Sequence, residues 1–301
     1  MLEITNLSKK YKNSNNKALD NISFNINKGE FVALLGQNGA GKTTLINILA
    51  ENVKKDAGKV IIGGYELDKE EIKTKKIIGI VTQEINFDFI FNVNEILTNQ
   101  SGYFGIKNNK KYIKELLNNL GLKDKIHSNN RELSGGMKRR LLIAKALIHK
   151  PNILILDEPT AGVDIDLRHS MYDYLQNLQN MGITIILTTH YLEEAEKLCD
   201  RIIVIDQGKM IIDDSKENIM ERLGNESLIE FQTEDNLDNN KLKILSGYSP
   251  QIINKSKLQL RVLKQDVGKV LRKMIETNIR FNNFKLQNKK LEDIYLSLIK
   301  N

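Results

Sequence analysis

The residues able to do chemistry are gathered at a few places in the chain. The run Gly36-Gln37-Asn38-Gly39-Ala40-Gly41-Lys42-Thr43-Thr44 combines glycines, a lysine and two adjacent threonines. Its glycines let the backbone curl so that N–H groups point inward at phosphate oxygens. A helix starting there adds about half a positive charge at the same point. Lys42 can reach the β- and γ-phosphates of a nucleotide, and the Thr43 hydroxyl can ligate Mg²⁺. By itself the loop specifies a bound nucleotide and no reaction.

Carboxylates supply the next piece. Asp157 and Glu158 stand together at the end of the apolar run Ile153-Leu154-Ile155-Leu156. Paired acids at the end of a buried strand are costly unless a cation compensates. Asp157 can hold Mg²⁺ through water, and Glu158 can polarise water for attack on a γ-phosphate. Gln83 and His190 each lie just past another strand-like run. That position faces the ligand crevice of an α/β sheet, so Gln83 is a candidate contact to Mg²⁺ or attacking water and His190 to the γ-phosphate.

Two further candidates have plainer readings beside them. Ser134-Gly135-Gly136 reads as an N-cap with two glycines behind it, either an ordinary helix start or a second anion-binding end. Tyr11 is either a surface tyrosine or a ring that stacks on adenine, worth on the order of 1–3 kcal/mol by analogy with base stacking.

These residues require particular elements to position them. Phe31 to Leu35 reads as a buried strand and Leu45 to Ala50 as a helix, placing the glycine-rich run between strand and helix as a phosphate loop demands. Leu19 to Asn27 alternates as a half-buried strand does. Gly58 to Tyr65, Ile77 to Val81, Thr184 to Thr189, Arg201 to Asp206 and Lys209 to Ile212 also read as strands. From about 86 to 149 the pattern is helical over Val93 to Phe104, Asn109 to Leu120 and Ser134 to His149. Helices are expected from about Asp166 to Met181 and over Lys216 to Leu223.

Residues 226–301 have a different texture. Strand 227–232, a helix near 238–245, strands near 250–254 and 257–263, helix 265–277 and strand 279–286 give the order β-α-β-β-α-β of ferredoxin-like folds. A last helix is expected from Leu291 to Ile299. Neither a metal cluster nor a nucleophile constellation is visible here, so interaction or regulation is the expected role.

Composition narrows the class. The chain has 301 residues, 41% hydrophobic, enough for a nucleotide-binding domain and a smaller one. Its net charge of +7, from 45 basic and 38 acidic residues, is spread along the chain as a solvated surface would be, and no nucleic-acid site is expected. A single cysteine, Cys199, excludes an internal disulfide and a cysteine metal cluster and fits a reducing cytoplasm. Leu2 to Thr5 is strand-like at once, so no secretory signal is expected. No apolar run approaches the roughly 18 to 20 residues a membrane span needs; at a membrane, another polypeptide must carry the spans.

In their order and spacing, Gly36 to Thr44, Gln83, Leu133-Ser134-Gly135-Gly136, Ile153 to Glu158, Asp164 and His190 closely resemble the ATP-binding subunit of an ABC transporter, over roughly residues 1–220. Glu158 to Ile165, Leu187 to Ala195 and the closing Leu291 to Tyr295 resemble the exporter branch with daunorubicin-resistance-like and multidrug members. The resemblance implies an α/β fold of P-loop NTPase type. Its ABC-type nucleotide-binding domain would span 1–225, with a mixed sheet and a helical subdomain at about 86–149. A small α+β domain of ferredoxin-like order would follow at 226–301.

The resemblance also implies roles. ATP and Mg²⁺ would be the cofactors. ATP would lie on Gly36, Gln37, Asn38, Gly39, Ala40, Gly41, Lys42, Thr43 and Thr44, with Tyr11 on the adenine. Ser134, Gly135, Gly136 and the bridging Asp164 of a second subunit would complete the site. Mg²⁺ would be held by Thr43, Gln83 and Asp157, and hydrolysis would use Glu158, His190, Gln83 and Lys42. The partners would be a multi-span membrane permease and an identical or second ATP-binding subunit, with the chain peripheral on the cytoplasmic face of the cell membrane. The alternative is a soluble ABC ATPase acting on the ribosome or nucleic acid.

Overall fold

The runs Phe31–Leu35, Ile153–Asp157 and Thr184–Thr188 are buried at every position. Strands of that kind belong in a parallel sheet covered on both faces, and the computed structural model places them there. The structure describes residues 1–12, 14–85, 87, 90–160, 163, 165–234, 241–248, 250–254, 256–276 and 280–299. Asp164 lies outside the described residues.

Two compact units divide the chain, Met1–Ser215 and Lys216–Asn301. The division falls ahead of the 225/226 boundary expected from sequence, because the helix Lys216–Arg222 groups with the second unit.

The first unit begins with β1 (Leu2–Lys9), β2 (Leu19–Ile26), β3 (Phe31–Leu35), α1 (Lys42–Leu49), β4 (Ala57–Ile62) and β5 (Tyr65–Glu66). It continues through α2 (Glu71–Ile77), β6 (Ile78–Val81), α3 (Val93–Tyr103), α4 (Lys110–Asn119) and α5 (Gly135–Leu147). It ends with β7 (Ile153–Asp157), α6 (Ile165–Asn180), β8 (Thr184–Thr188), α7 (Leu192–Leu198), β9 (Arg201–Asp206) and β10 (Lys209–Ser215).

Its six-stranded sheet has the order β10-β9-β3-β8-β7-β6, parallel except for the antiparallel β10 at the edge. A separate antiparallel sheet has the order β2-β1-β4-β5. A mixed architecture with a helical segment was expected and is what forms. The inner faces of both sheets enclose one core that includes Leu2, Phe24, Leu45, Ile155 and Ile203. Fully burying each such side chain contributes about 1.5–3 kcal/mol.

Local signals explain the ends of the elements. The Asn92 side chain accepts from the Glu95 N–H, and Glu95 reaches back to the Asn92 N–H, a capping box that starts α3. Two short helices, α2 and α7, are not expected from the sequence. Ile77 ends α2 rather than opening β6, because Glu71–Ile77 is lysine-rich, leaves Ile72 exposed, and runs into the strand with no intervening turn.

The second unit comprises α8 (Lys216–Arg222), β11 (Glu226–Thr233), a 3₁₀ helix at Lys241–Tyr248, β12 (Gln251–Asn254) and β13 (Lys257–Leu263). After the short 3₁₀ turn Lys264–Asp266 come α9 (Val267–Glu276), β14 (Phe281–Asn288) and α10 (Leu291–Ile299). Its antiparallel sheet has the order β12-β13-β11-β14. That interleaving of hairpin and crossover strands fits the ferredoxin-like order. The first helical piece is 3₁₀ rather than the α-helix expected near 238–245. A core of Ile229, Phe231, Leu245, Leu260, Val270 and Met274 closes this unit.

Candidate functional site

Parallel register lines up the strand ends. Val81 pairs with Leu156, and Asp157 with Thr188. Residues just past those ends therefore meet at one edge of the sheet, as the crevice rule requires. Gln83 follows β6, Glu158 follows β7 and His190 follows β8. Gln83 Nε2 donates to Glu158 Oε2 at 3.0 Å. On the other side, His190 Nδ1 stands 3.2 Å from Glu158 Oε1. Glu158 itself has a φ of 49°, a left-handed conformation that a residue with a Cβ adopts only when its surroundings hold it there. Its N–H donates to the Thr188 carbonyl at 3.0 Å.

The glycine-rich run sits beside these ends. Gly41 is the N-cap of α1, with φ 114° and no side chain to satisfy the first N–H groups of the helix. A Cβ on Gly41 would stand 2.4 Å from the Ala18 carbonyl oxygen, and one on Gly36 2.3 Å from the Ile205 carbonyl oxygen. The curl of the loop is thus fixed by its own chain. Lys42 Nζ folds back onto the carbonyls of Gly36 (2.6 Å) and Gln37 (3.0 Å). Burial pushes its pKa down, while Glu158 and Asp157 pull it up. A cavity of about 340 Å³ opens between loop and strand ends, lined by Gln37, Asn38, Gly39, Gly41, Lys42, Thr43, Thr44, Gln83, Asp157 and Glu158. Gly36 and the buried Ala40 shape the loop from behind.

Asp157 is buried, and its carboxylate accepts from the Thr188 hydroxyl. Burial holds its pKa above the usual carboxylate range, the hydrogen bond from Thr188 lowers it, and neighbouring Glu158 raises it again. A buried carboxylate raised in this way, with a second acid beside it and the Thr43 hydroxyl on the same cavity, is a donor set that a hard divalent cation relieves. Among the described residues no group of three or more His, Cys, Asp or Glu side chains could hold a metal by itself. Mg²⁺ with few protein ligands and phosphate oxygens fits that sparse set.

Tyr11 and Ser134 are not among the residues that line this cavity. The Tyr11 hydroxyl is 3.4 Å from Thr44 Oγ1, with its ring partly exposed. Ser134 is the N-cap of α5, its oxygen accepting from the Met137 N–H at 3.2 Å. The cavity lining does not include Ser134, Gly135 or Gly136. Gly135 has a negative φ and nothing within 4 Å of where a Cβ would stand, so no contact of this chain requires glycine there.

Two positioning residues escaped the sequence reading. Arg139, in α5, is buried and donates to the carbonyls of Thr82 (2.7 Å) and Glu158 (2.9 Å). It ties α5 to the ends of β6 and β7, beside Gln83 and at Glu158. In sequence it sits in the basic run Lys138-Arg139-Arg140, which reads as a solvated face. Thr188 reads from sequence only as part of a strand, although its hydroxyl donates to Asp157.

No helix among the described residues is long and apolar enough to cross a membrane. The family model described as "ABC transporter" matches residues 19–161. The linearmycin resistance ATP-binding protein LnrL of Bacillus subtilis is 41% identical over 233 residues, 77% of this chain and 74% of that protein. The Nod factor export ATP-binding protein I of Rhizobium etli is 38% identical over 224 residues, 74% and 70% of the two chains. Among solved structures, an ATP-binding subunit of an ABC transporter aligns with TM-score 0.69 and 26% identity, over 74% of this chain and 93% of that one. A dimeric ATP-binding cassette in a post-hydrolysis state with ADP and Pi aligns with TM-score 0.65 and 27% identity, over 71% and 98%.

Proposed function

The chain belongs to the ABC transporter ATP-binding proteins, and we propose that it hydrolyses ATP to drive an exporter whose membrane-spanning part is a separate permease. Two copies, or this chain and a second ATP-binding subunit, enclose ATP between the Gly36–Thr44 loop of one and the Ser134–Gly136 helix start of the other. Two-fold pairing of one surface with its complement closes the assembly. The open space around Gly135 supports this arrangement, since a phosphate can approach the bare helix start closely. Asp164 would bridge the protomers.

The observation that carries the reading is Glu158, gripped on both carboxylate oxygens by Gln83 and His190 at the rim of the loop cavity. Lys42 exchanges its loop carbonyls for the β- and γ-phosphates. Thr43, Asp157 and Gln83 are the residues that would hold Mg²⁺, which supplies charge neutralisation of the phosphates when bound. Glu158 orients a water in line with the γ-phosphate and takes its proton. A bond forms from the water oxygen to phosphorus as the bond to the ADP oxygen breaks. His190 keeps Glu158 aimed, and Tyr11, beside Thr44, meets the adenine. Catalysis of this kind is positioning and electrostatics.

A larger cleft, about 640 Å³, lies away from this chemistry. Ile78, Ile80 and Thr82 line it on the strand side, and Phe104, Leu142 and His149 on the helical side. It reaches the segment leading into Gln83, and an apolar segment of the permease suits it. The relatives' names speak of export and resistance, which favours the exporter over a soluble ATPase on the ribosome or nucleic acid. The chain then sits peripherally on the cytoplasmic face of the membrane. The second unit serves interaction or regulation.

The test is Glu158→Gln. ATP binding persists while turnover falls on the order of 10²–10³-fold. The tagged variant, taken from native membranes in mild detergent with ATP and Mg²⁺, brings down a multi-span membrane protein at near-stoichiometric level. Turnover within about threefold of wild type removes Glu158 from this role. Recovery with ribosomes or nucleic acid overturns the exporter.

A further inference from the structure

His190 and Glu158 face each other across two strand ends, and a buried carboxylate behind them connects the segments that carry them. Glu194, in the first turn of α7, is 1% exposed. Its Oε1 accepts from the Tyr172 hydroxyl at 3.0 Å and from the Thr160 hydroxyl. Its Oε2 has no hydrogen-bond partner. A buried carboxylate with one oxygen unpartnered carries a desolvation cost that an apolar side chain of similar size would avoid. Packing alone therefore does not explain it.

The residues it joins belong to separate elements. Thr160 follows directly on Glu158-Pro159. Tyr172 lies in α6. Glu194 belongs to the helix that begins right after His190-Tyr191. From Tyr172 the contacts lead back to the catalytic rim. Arg168 is within hydrogen-bonding reach of the Tyr172 hydroxyl. Its guanidinium is 4.9 Å from the centre of the Tyr191 ring. That ring is 4.0 Å from the His190 ring, and His190 Nδ1 is 3.2 Å from Glu158 Oε1. The path thus starts and finishes at Glu158, through side chains one way and through the backbone of Pro159 the other.

We infer that Glu194 is a positioning residue for hydrolysis: by holding Thr160 and Tyr172 on one carboxylate oxygen, it fixes the His190 imidazole against the Glu158 carboxylate. This rests on the roles given to Glu158 and His190 above. Reacting groups must be held within a fraction of an ångström, since a 1 Å displacement from a distant change costs about 10²-fold in rate. Glu194 does not line the loop cavity, so its effect falls on kcat and not on ATP binding.

The experiment measures kcat and KM for ATP on the full-length chain. Glu194→Ala lowers kcat about tenfold with KM within about twofold of wild type. Glu194→Gln keeps most of kcat, because its amide oxygen still accepts both hydroxyls and its NH₂ takes the place of the unpartnered oxygen. Tyr172→Phe, which deletes one hydroxyl, lowers kcat about threefold. In a His190→Ala background, Glu194→Ala costs less than about twofold more, because residues acting as one unit are not additive.

Wild-type kcat in Glu194→Ala overturns the inference. So does equal loss in the Ala and Gln variants, or a full additional loss on top of His190→Ala. If Glu194→Ala does not fold, Tyr172→Phe carries the same comparison with His190→Ala. Wild-type kcat in His190→Ala itself defeats the reading of the site, and this inference with it.

Discussion

Two helix starts in the first unit carry the glycines we propose to meet phosphate, and they are finished differently. At the start of α1, Gly41 is locked by the Ala18 carbonyl and by its left-handed φ, and Lys42, Asp157 and Glu158 stand round the same cavity. At the start of α5, Ser134 is an ordinary cap and Gly135 faces open space. The first end is completed by its own chain. The second is a capped helix start that does not line the loop cavity, which makes sense if another molecule brings the phosphate to it. A helix N-terminus alone does not make a site; the groups that the tertiary fold brings beside it do.

The comparison breaks or sharpens under substitution. The largest effect is expected at the open end. Gly135→Asp places a negative charge where phosphate should arrive and lowers ATP turnover by on the order of 10²-fold or more. Melting temperature should stay close to wild type, because a surface change away from packing is usually within about 0.5 kcal/mol. Thermal unfolding and turnover on one preparation check both halves; turnover like wild type means the second end meets no phosphate.

At the closed end the balance reverses. Gly41→Ala must shift the Ala18 carbonyl and hold an alanine at positive φ, at a cost of about 1–3 kcal/mol in stability, with nucleotide binding lost as well. Chemical denaturation gives the first quantity. A variant as stable as wild type removes the claim that this chain's packing fixes the loop.

Asp157→Asn tests the same end from the acid side. Burial raises the Asp157 pKa, so the folded nucleotide-free chain holds its proton more tightly than the unfolded chain does. That destabilises the fold progressively as pH rises from the unfolded value through the raised one. At neutral pH the variant should therefore melt at a higher temperature than wild type without nucleotide and lose Mg²⁺-dependent hydrolysis. A lower melting temperature contradicts the electrostatic account.

The smallest effect lies outside both ends. His149 stacks on Phe104 at 3.8 Å and is half-buried, and that desolvation pushes its pKa below the ordinary histidine value. The folded state resists its protonation. Stability from this residue is present above the unfolded pKa and is lost as pH falls below about 6.5 through the folded value. His149→Gln should flatten the melting-temperature profile on the acid side, with turnover at neutral pH unchanged.

Most of the architecture was legible, because it is written in contiguous stretches. A buried parallel strand declares itself over five apolar residues, as β3 does, and the half-buried β2 by alternation. The 3₁₀ helix Lys241–Tyr248 and the short α2 were misread because short pieces carry too few residues to show a period.

The chemical groups divide the same way. Sequence alone determined the phosphate loop, the Asp157-Glu158 pair, the Ser134 cap and the strand-end places of Gln83 and His190, since each depends on residues adjacent in the chain. Only the tertiary structure decided that Gln83 and His190 grip opposite oxygens of Glu158, because that follows from the β8-β7-β6 strand order. It also decided that Arg139, Thr188 and Glu194 serve the same edge. A polar residue within a strand or helix has no local mark of its partner; burial against a distant segment is what turns it into a support for the site.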